Sequence, residues 1–330
     1  MCKTVEKRHK MKTVFLLNPK AGKGKGLDRI KEEVDRTAER MGCDAGIYLT
    51  KSVGDAEKFA RLAAEEAEKN GEEIRLIACG GDGTLNEVIN GAAGFGCASV
   101  GVMPIGTGND FVRNFSGAGD HMSVEAQIRG RVQKCDLIKY QGVIDGQERT
   151  RYCANMFNIG FDCNVVDLTA KVKEYPLLKG SLAYLVSVLA ILVKKKGALL
   201  KVEIDGETVQ DGPVLLTAVA NGAFCGGGVK GLPKADLTDG LMDASIIYNV
   251  SRTEFLKKFP YYAKGTHLDL PDVDKIVYYR QCREVAITPL NGMMRLCVDG
   301  EISDAGQIHM EIVPEAARIV VPAVLTEQQQ

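Results

Sequence analysis

Apolar positions in the first third of the chain alternate between two rhythms. Thr13 to Leu17 is a short β-rich run, and it gives way to NPKAGKGKG. Leu27, Ile30, Val34, Ala38 and Met41 then recur at the three-and-four spacing that places them on one face of a helix. The alternation continues with a strand at Ile47 to Thr50 and a helix that Asp55 caps, with Phe59, Leu62 and Ala63 turned inward. A third strand at Ile74 to Cys79 leads into GGDGTLNEV and a short helix, and a fourth at Ser99 to Ile105 leads into GTGNDFVRNF. Strand–loop–helix units in series predict a parallel sheet with helices on its faces.

From about Gln133 strand-like runs dominate. They are Lys134 to Tyr140, Arg151 to Ile159, Leu199 to Ile204, Val214 to Ala220, Met242 to Tyr248, Lys275 to Thr288, Met293 to Val298 and Gln307 to Ile312. Asp-Gly turns join several of them, which is a hairpin signal and predicts an antiparallel sandwich. The final run, Arg318 to Val321, either extends that sheet or returns to the first domain. The expected organisation is a flexible basic extension over 1–10, an α/β domain over 11–133 and a β-rich domain over 134–325. A cleft between two such domains is the expected place for a ligand.

Composition narrows the class. With 45% apolar and 26% charged residues the chain is globular rather than disordered. Its 42 Lys and Arg against 43 Asp and Glu argue against a protein that coats nucleic acid. The ten cysteines are scattered, without C-x-x-C spacing, and are read as buried reduced thiols in a cytosolic protein. No apolar run approaches the roughly 20 residues that span a bilayer. The 36 glycines exceed the usual share without any repeat to absorb them, so they belong to particular turns.

Three glycine clusters each follow a predicted strand and precede a predicted helix, where an open α/β sheet places ligands. Glycine lets backbone N–H groups approach phosphate oxygens, and a following helix N-terminus adds favourable dipole charge. One such loop signifies little, because glycine also simply makes turns; three on adjacent strands point to phosphate binding. The P-loop pattern is absent. A G-x-G-x-x-G at Gly226, Gly228 and Gly231 runs into Leu232 and Pro233 rather than a helix, so it reads as a loop of the second domain.

GGDGTLNEV together with GTGNDF at Gly106 to Phe111 resembles the diacylglycerol kinase catalytic-domain family, in particular its soluble bacterial lipid kinases. NPKAG, TKSVGDA at Thr50 to Ala56, KADLTDGLMD at Lys234 to Asp243 and VDGE at Val298 to Glu301 follow in the family's order. GGDGT alone is shared with NAD kinases and phosphofructokinase-like enzymes, whereas GTGNDF and the late DGE narrow the resemblance to lipid kinases. It implies an N-terminal Rossmann-like domain of that superfamily joined to a C-terminal antiparallel β-sandwich.

The resemblance also implies a site. ATP would be held by Asn18, Pro19, Lys20, Ala21 and Gly22, by Thr50, by Gly81, Asp82, Gly83, Thr84, Leu85, Asn86 and Glu87, and by Thr107. Ala21 stands where the family has Ser, so one hydroxyl contact is lost. Glu301 would accept the proton of the lipid hydroxyl, with Asp299 on the same turn. By spacing alone Asp205-Gly206-Glu207 is nearly indistinguishable from Asp299-Gly300-Glu301, and only family position selects the latter. Asp236, Asp239 and the carbonyl of Leu241 match the family's structural Mg²⁺ site, while unaided the segment reads as an ordinary turn. Asp82, Asp110 and Asp136 match acids that link metal, water and nucleotide, although Asp110 equally suits a helix cap.

Ser181 to Lys196 is apolar on every side and ends in three lysines, so it reads either as a core helix or as a membrane contact. The reading is an ATP- and Mg²⁺-dependent lipid kinase converting diacylglycerol to phosphatidic acid, cytoplasmic and peripheral at the membrane surface where its lipid lies. Kinases of a sphingoid base or of phosphatidylglycerol, and a non-catalytic lipid or nucleotide binder, are the alternatives. An edge of the antiparallel domain offers a surface for a homodimer.

Overall fold

The computed structural model describes residues 11–24, 26–160 and 197–325. The extension over 1–10 and the apolar segment Ser181 to Lys196 lie outside the described residues. Two compact units emerge: one takes the chain up to Gly106, Gly117–Lys134 and the chain from Ala317, and the other takes Thr107–Ser116 and Cys135–Ala316.

In the first unit, β1 (Lys12–Leu17), β2 (Ala45–Leu49), β3 (Ile74–Gly80) and β4 (Ala98–Pro104) form a parallel sheet in the order β2-β1-β3-β4. Every residue of β3 is buried, as expected of a parallel strand covered on both faces. Helices α1 (Leu27–Met41), α2 (Asp55–Asn70), α3 (Asp82–Ala92) and α4 (Val124–Arg129) follow the strands. The chain's last strand returns here, with Ile319 pairing in parallel with Val100 of β4.

Helix α2 departs from expectation. Its buried stripe is Ala56, Ala60, Ala64 and Ala67, while Leu62 is 66% exposed. Leu62 stands two positions from Ala60, about 200° around the helix, and so faces away from α3. Small residues prevail on the buried face because α3 comes so close at Gly91. A Cβ there would lie 2.4 Å from the Glu57 carbonyl and 2.7 Å from the Ala60 Cβ. Asp55 is not the cap either. Gly54, in the left-handed region, holds that position, and Asp55 accepts bonds from the Tyr48 hydroxyl and the Lys51 amide.

The second unit is antiparallel. Its strands are β5 (Arg131–Ile144), β6 (Gln147–Cys153), β7 (Met156–Gly160), β8 (Ala198–Ile204), β9 (Glu207–Val214), β10 (Leu216–Ala220), β11 (Met242–Ile247), β12 (Val277–Cys282), β13 (Glu284–Pro289), β14 (Met294–Val298) and β15 (Glu301–Val321). One layer runs β12-β11-β10-β7-β14-β15, and β13, β8 and β9 continue from β15 in the other. Phe157, Ile159, Val202, Val285, Ile287, Leu296, Ile308 and Met310 fill a common core, so the predicted sandwich is present.

Three boundaries differ from the sequence reading. Arg151 to Ile159 is two strands broken at Ala154 and Asn155, because Asp299 captures the amides there. Lys275 to Thr288 also divides: β12 pairs with β11, whereas β13 pairs with β15 and β8, and Asp205 accepts the Arg283 and Glu284 amides at the break. The runs Gln307 to Ile312 and Arg318 to Val321 are instead parts of one 21-residue strand. Helix α5 (Arg252–Lys264), with Pro260 in its interior, has no counterpart among the elements the sequence predicts. Its signal is the Ser251 cap, whose hydroxyl accepts the Glu254 amide.

Candidate functional site

The first unit gathers its predicted phosphate loops at the carboxyl ends of its strands. Asn18, just after β1, donates its side-chain amide to the Thr84 hydroxyl at 3.0 Å and accepts the Lys20 amide at 3.0 Å. Its own amide bonds the Cys79 carbonyl at the end of β3. Gly80 carries the Ile105 and Gly106 amides on its carbonyl, and a Cβ on Gly80 would lie 2.3 Å from the Thr84 hydroxyl. Gly22 has a positive φ of 58°, and a Cβ there would lie 2.8 Å from Ile105. The loops after β1, β3 and β4 are thereby locked together through glycine, Asn18 and Thr84. Thr50, after β2, bonds back to the Leu17 carbonyl. Asp82 opens α3, where the helix dipole favours an anion.

Two further predicted nucleotide residues are Glu87 and Thr107. The Glu87 carboxylate accepts the Gly54 and Ala56 amides at 2.9 and 3.1 Å and thus caps α2. Thr107, which follows Gly106 directly, is exposed.

Within the second unit the acids have unlike duties. Asp299, with a φ of 48° and 8% exposed, accepts bonds from the Cys153 thiol and from the amides of Ala154, Asn155 and Met156, at 2.9–3.1 Å. Burial, and then the Asp299 charge, push the Cys153 thiol far up. Glu301 begins β15, and its exposed carboxylate has no hydrogen-bond or ion-pair partner among the described residues. The look-alike Glu207 instead pairs with Arg280 at 3.1 Å. The two Asp-Gly-Glu turns therefore differ in three dimensions: one presents an exposed carboxylate two residues from a buried acid, and in the other the carboxylate pairs with Arg280.

Asp136 accepts the Gly240 and Glu315 amides, both at 2.8 Å. Asp236 accepts both the amide and the hydroxyl of Thr238, while Asp239 accepts the Leu241 amide and the Gln281 side chain. Partial burial, then Asp236 and Asp136, push the Asp239 carboxyl above its usual range. Crowded carboxylates beside a main-chain oxygen suit a hard cation, so the residues fit Mg²⁺. Among the described residues no three His, Cys, Asp or Glu side chains converge on one metal position, so such a site would rest on two carboxylates, a carbonyl and water. Next to them, buried Asp243 accepts the Tyr279 hydroxyl at 2.6 Å, and its carboxyl is raised by burial.

Sequence reasoning missed the partners of Asp110. Its carboxylate accepts the Gly227 and Gly228 amides at 2.8–3.0 Å and stands 3.5 Å from Arg113. Gly226, Gly227 and Gly228 all have positive φ, and that run of glycine was the available signal. Asn114, Asn155 and Asn221 were missed as well, and isolated asparagines carry no signal.

A small apolar cavity of about 60 Å³ lies between β10, β11 and α5, lined by Leu216, Ile247, Phe255, Phe259, Tyr262 and His267 among others. His267 is 3% exposed, and both its ring nitrogens lack hydrogen-bond partners among the described residues. Among the described residues no helix is long and apolar enough to cross a membrane.

Comparison with known proteins bears on this geometry. Residues 12–140 match the Diacylglycerol kinase catalytic domain, and residues 155–321 match the YegS C-terminal NAD kinase beta sandwich-like domain. A protein named diacylglycerol kinase from Staphylococcus saprophyticus subsp. saprophyticus is 31% identical over 290 residues, spanning 87% of this chain and 88% of its own. One of the same name from Bacillus subtilis (strain 168) is 28% identical over 291 residues, with the same two coverages, 87% and 88%. The crystal structure of a diacylglycerol kinase from Bacillus anthracis str. Sterne superposes with a TM-score of 0.68 at 20% identity, over 95% of this chain and 98% of that one, and so shares the fold. Both halves of the chain and the order of their motifs thus agree on one assignment, a lipid kinase of the diacylglycerol kinase catalytic-domain family.

Proposed function

We propose that the chain transfers the γ-phosphate of ATP, with Mg²⁺, to the free hydroxyl of diacylglycerol and so makes phosphatidic acid. The observation that carries this reading is the pairing, on one Asp-Gly-Glu turn, of a buried acid spent on backbone amides with an exposed carboxylate that has no partner among the described residues. Phosphoryl transfer to an alcohol requires positioning, charge neutralisation and a proton acceptor, and little covalent chemistry from the protein. The Asn18–Gly22 and Gly81–Thr84 loops hold the nucleotide phosphates, and the N-terminus of α3 favours their charge. Glu301 takes the proton of the attacking hydroxyl, while Asp299 fixes the turn from which Glu301 projects. Asp236, Asp239 and the Leu241 carbonyl would hold a Mg²⁺ that steadies their loop, and Asp82 would face a second Mg²⁺ or its waters. Bound Mg²⁺ supplies neutralisation of phosphate charge. The cavity beside α5 suits the end of an acyl chain. The protein works at the membrane surface, where its lipid lies.

The test is incubation of purified protein with ATP, Mg²⁺ and a panel holding diacylglycerol, a sphingoid base and phosphatidylglycerol, followed by mass analysis. Phosphatidic acid as the main product is expected. Phosphorylation of another panel member alone would replace the acceptor, and no phosphorylated lipid, with no thermal shift by ATP, would remove the kinase reading.

A further inference from the structure

Two asparagines tie the acid-bearing turns of the second unit into one hub. Asn114 ends the short turn that Asp110 begins, and donates to the Phe111 carbonyl at 2.9 Å. Its amide nitrogen also reaches the Asn155 side-chain oxygen at 3.2 Å, and its oxygen accepts the Ala223 amide at 2.8 Å. Asn155, 7% exposed, donates its side chain to the Phe224 carbonyl at 2.7 Å and its backbone amide to Asp299 at 3.0 Å. Its carbonyl accepts the amides of Asn221 and Gly222. Gly222 leaves room for the pair: a Cβ there would lie 2.2 Å from the Asn155 oxygen and 2.7 Å from the Asn114 nitrogen. The loop that follows carries the Gly227 and Gly228 amides that hold Asp110.

We propose that Asn114 and Asn155 are positioning residues that couple the Asp110 turn to the Asp299–Glu301 turn, so that both acids are set by one hydrogen-bonded hub. The role in catalysis rests on the kinase reading above; the mechanical coupling does not. Each side chain joins segments far apart in sequence, and Asn155 bonds Phe224, ahead of the glycine loop, through its side chain and Asp299 through its backbone amide. A buried amide so engaged transmits displacement, because leaving any of its partners unpaired is costly. Supporting residues of this kind typically act through the geometry of the groups they hold.

The discriminating variant is Asn114→Asp, which keeps the acceptor for the Ala223 amide and loses the donors to Phe111 and Asn155. Hydrogen exchange on the whole protein is expected to show Ala223 still protected while the amides of Ala154 to Met156 exchange about tenfold faster, the measure of one hydrogen bond. With ATP, Mg²⁺ and the accepted lipid, kcat is expected to fall by about 10- to 100-fold, as for a misplaced reacting group. KM for ATP is expected to stay within about twofold, because uniform binding is untouched. Asn155→Ala is expected to loosen both turns at once; if it does not fold, Asn114→Asp, at a half-buried site, carries the test. Arg75→Met is the control, since Arg75 is buried on the carbonyls of Gln127, Ile128 and Gly130 in the first unit, so it lowers stability without touching the hub. Unchanged exchange at Ala154 to Met156 in Asn114→Asp overturns the coupling. A kcat loss no greater than that of Arg75→Met at matched folded fraction overturns the catalytic role. Absence of turnover in the unaltered protein removes the kinase reading and leaves the exchange result to judge the hub.

Discussion

Asp299 and Glu301 stand two residues apart and answer to different physics. Asp299 sits in the left-handed region and receives one thiol and three amide donors. Asp299→Ala leaves three buried amides unpaired in a strained turn, and chemical denaturation is expected to show a loss of roughly 3 kcal/mol. Glu301 is exposed and carries no such load. Glu301→Gln is expected to lower kcat by about 10²- to 10⁴-fold, the usual worth of a general base, with an unchanged melting temperature. Glu207→Gln, on the look-alike turn, is expected to leave kcat as it was; steady-state kinetics on the two variants reads the difference directly. The acids were legible as residues, but their division of labour was not, because burial and amide capture come from segments more than a hundred residues away.

Among the elements, α2 and α3 show packing overruling propensity. Alanine exceeds glycine in helix propensity by about 1 kcal/mol, so Gly91→Ala would stabilise an isolated α3. In the folded unit the added methyl would meet the Glu57 carbonyl and Ala60 of α2. The clash decides, and a net loss of about 1–3 kcal/mol is expected in thermal or urea unfolding. The same close approach explains why α2 buries alanine and leaves Leu62 in solvent. Strand ends were less legible than strand existence. β12 and β13 form one strand-like run in the sequence, yet each pairs with a different neighbour. An Asp205 side chain from another hairpin marks the switch.

Stability is a property of the whole molecule, and one buried group gives it a pH dependence. Burial depresses His267 from the ordinary 6.5 to about 4. The unfolded chain therefore takes up this proton first, so the contribution is whole above about pH 6.5 and is lost as pH falls toward 4. The span is worth roughly 3 kcal/mol, at about 1.4 kcal/mol per pH unit. Melting curves are expected to show a decline between these pH values that His267→Phe removes. At this scale the sequence by itself determined the alternation of α/β units, the antiparallel character of the later strands, and the glycine loops and acid motifs, because period, turn residues and close backbone approach are local constraints. Only the tertiary structure decided that β15 is one strand whose end joins β4, that Glu87 caps α2, and that Asp110 is held by Gly227 and Gly228. Those outcomes depend on which distant backbone amides come within hydrogen-bonding reach of a carboxylate, and local spacing carries no record of that.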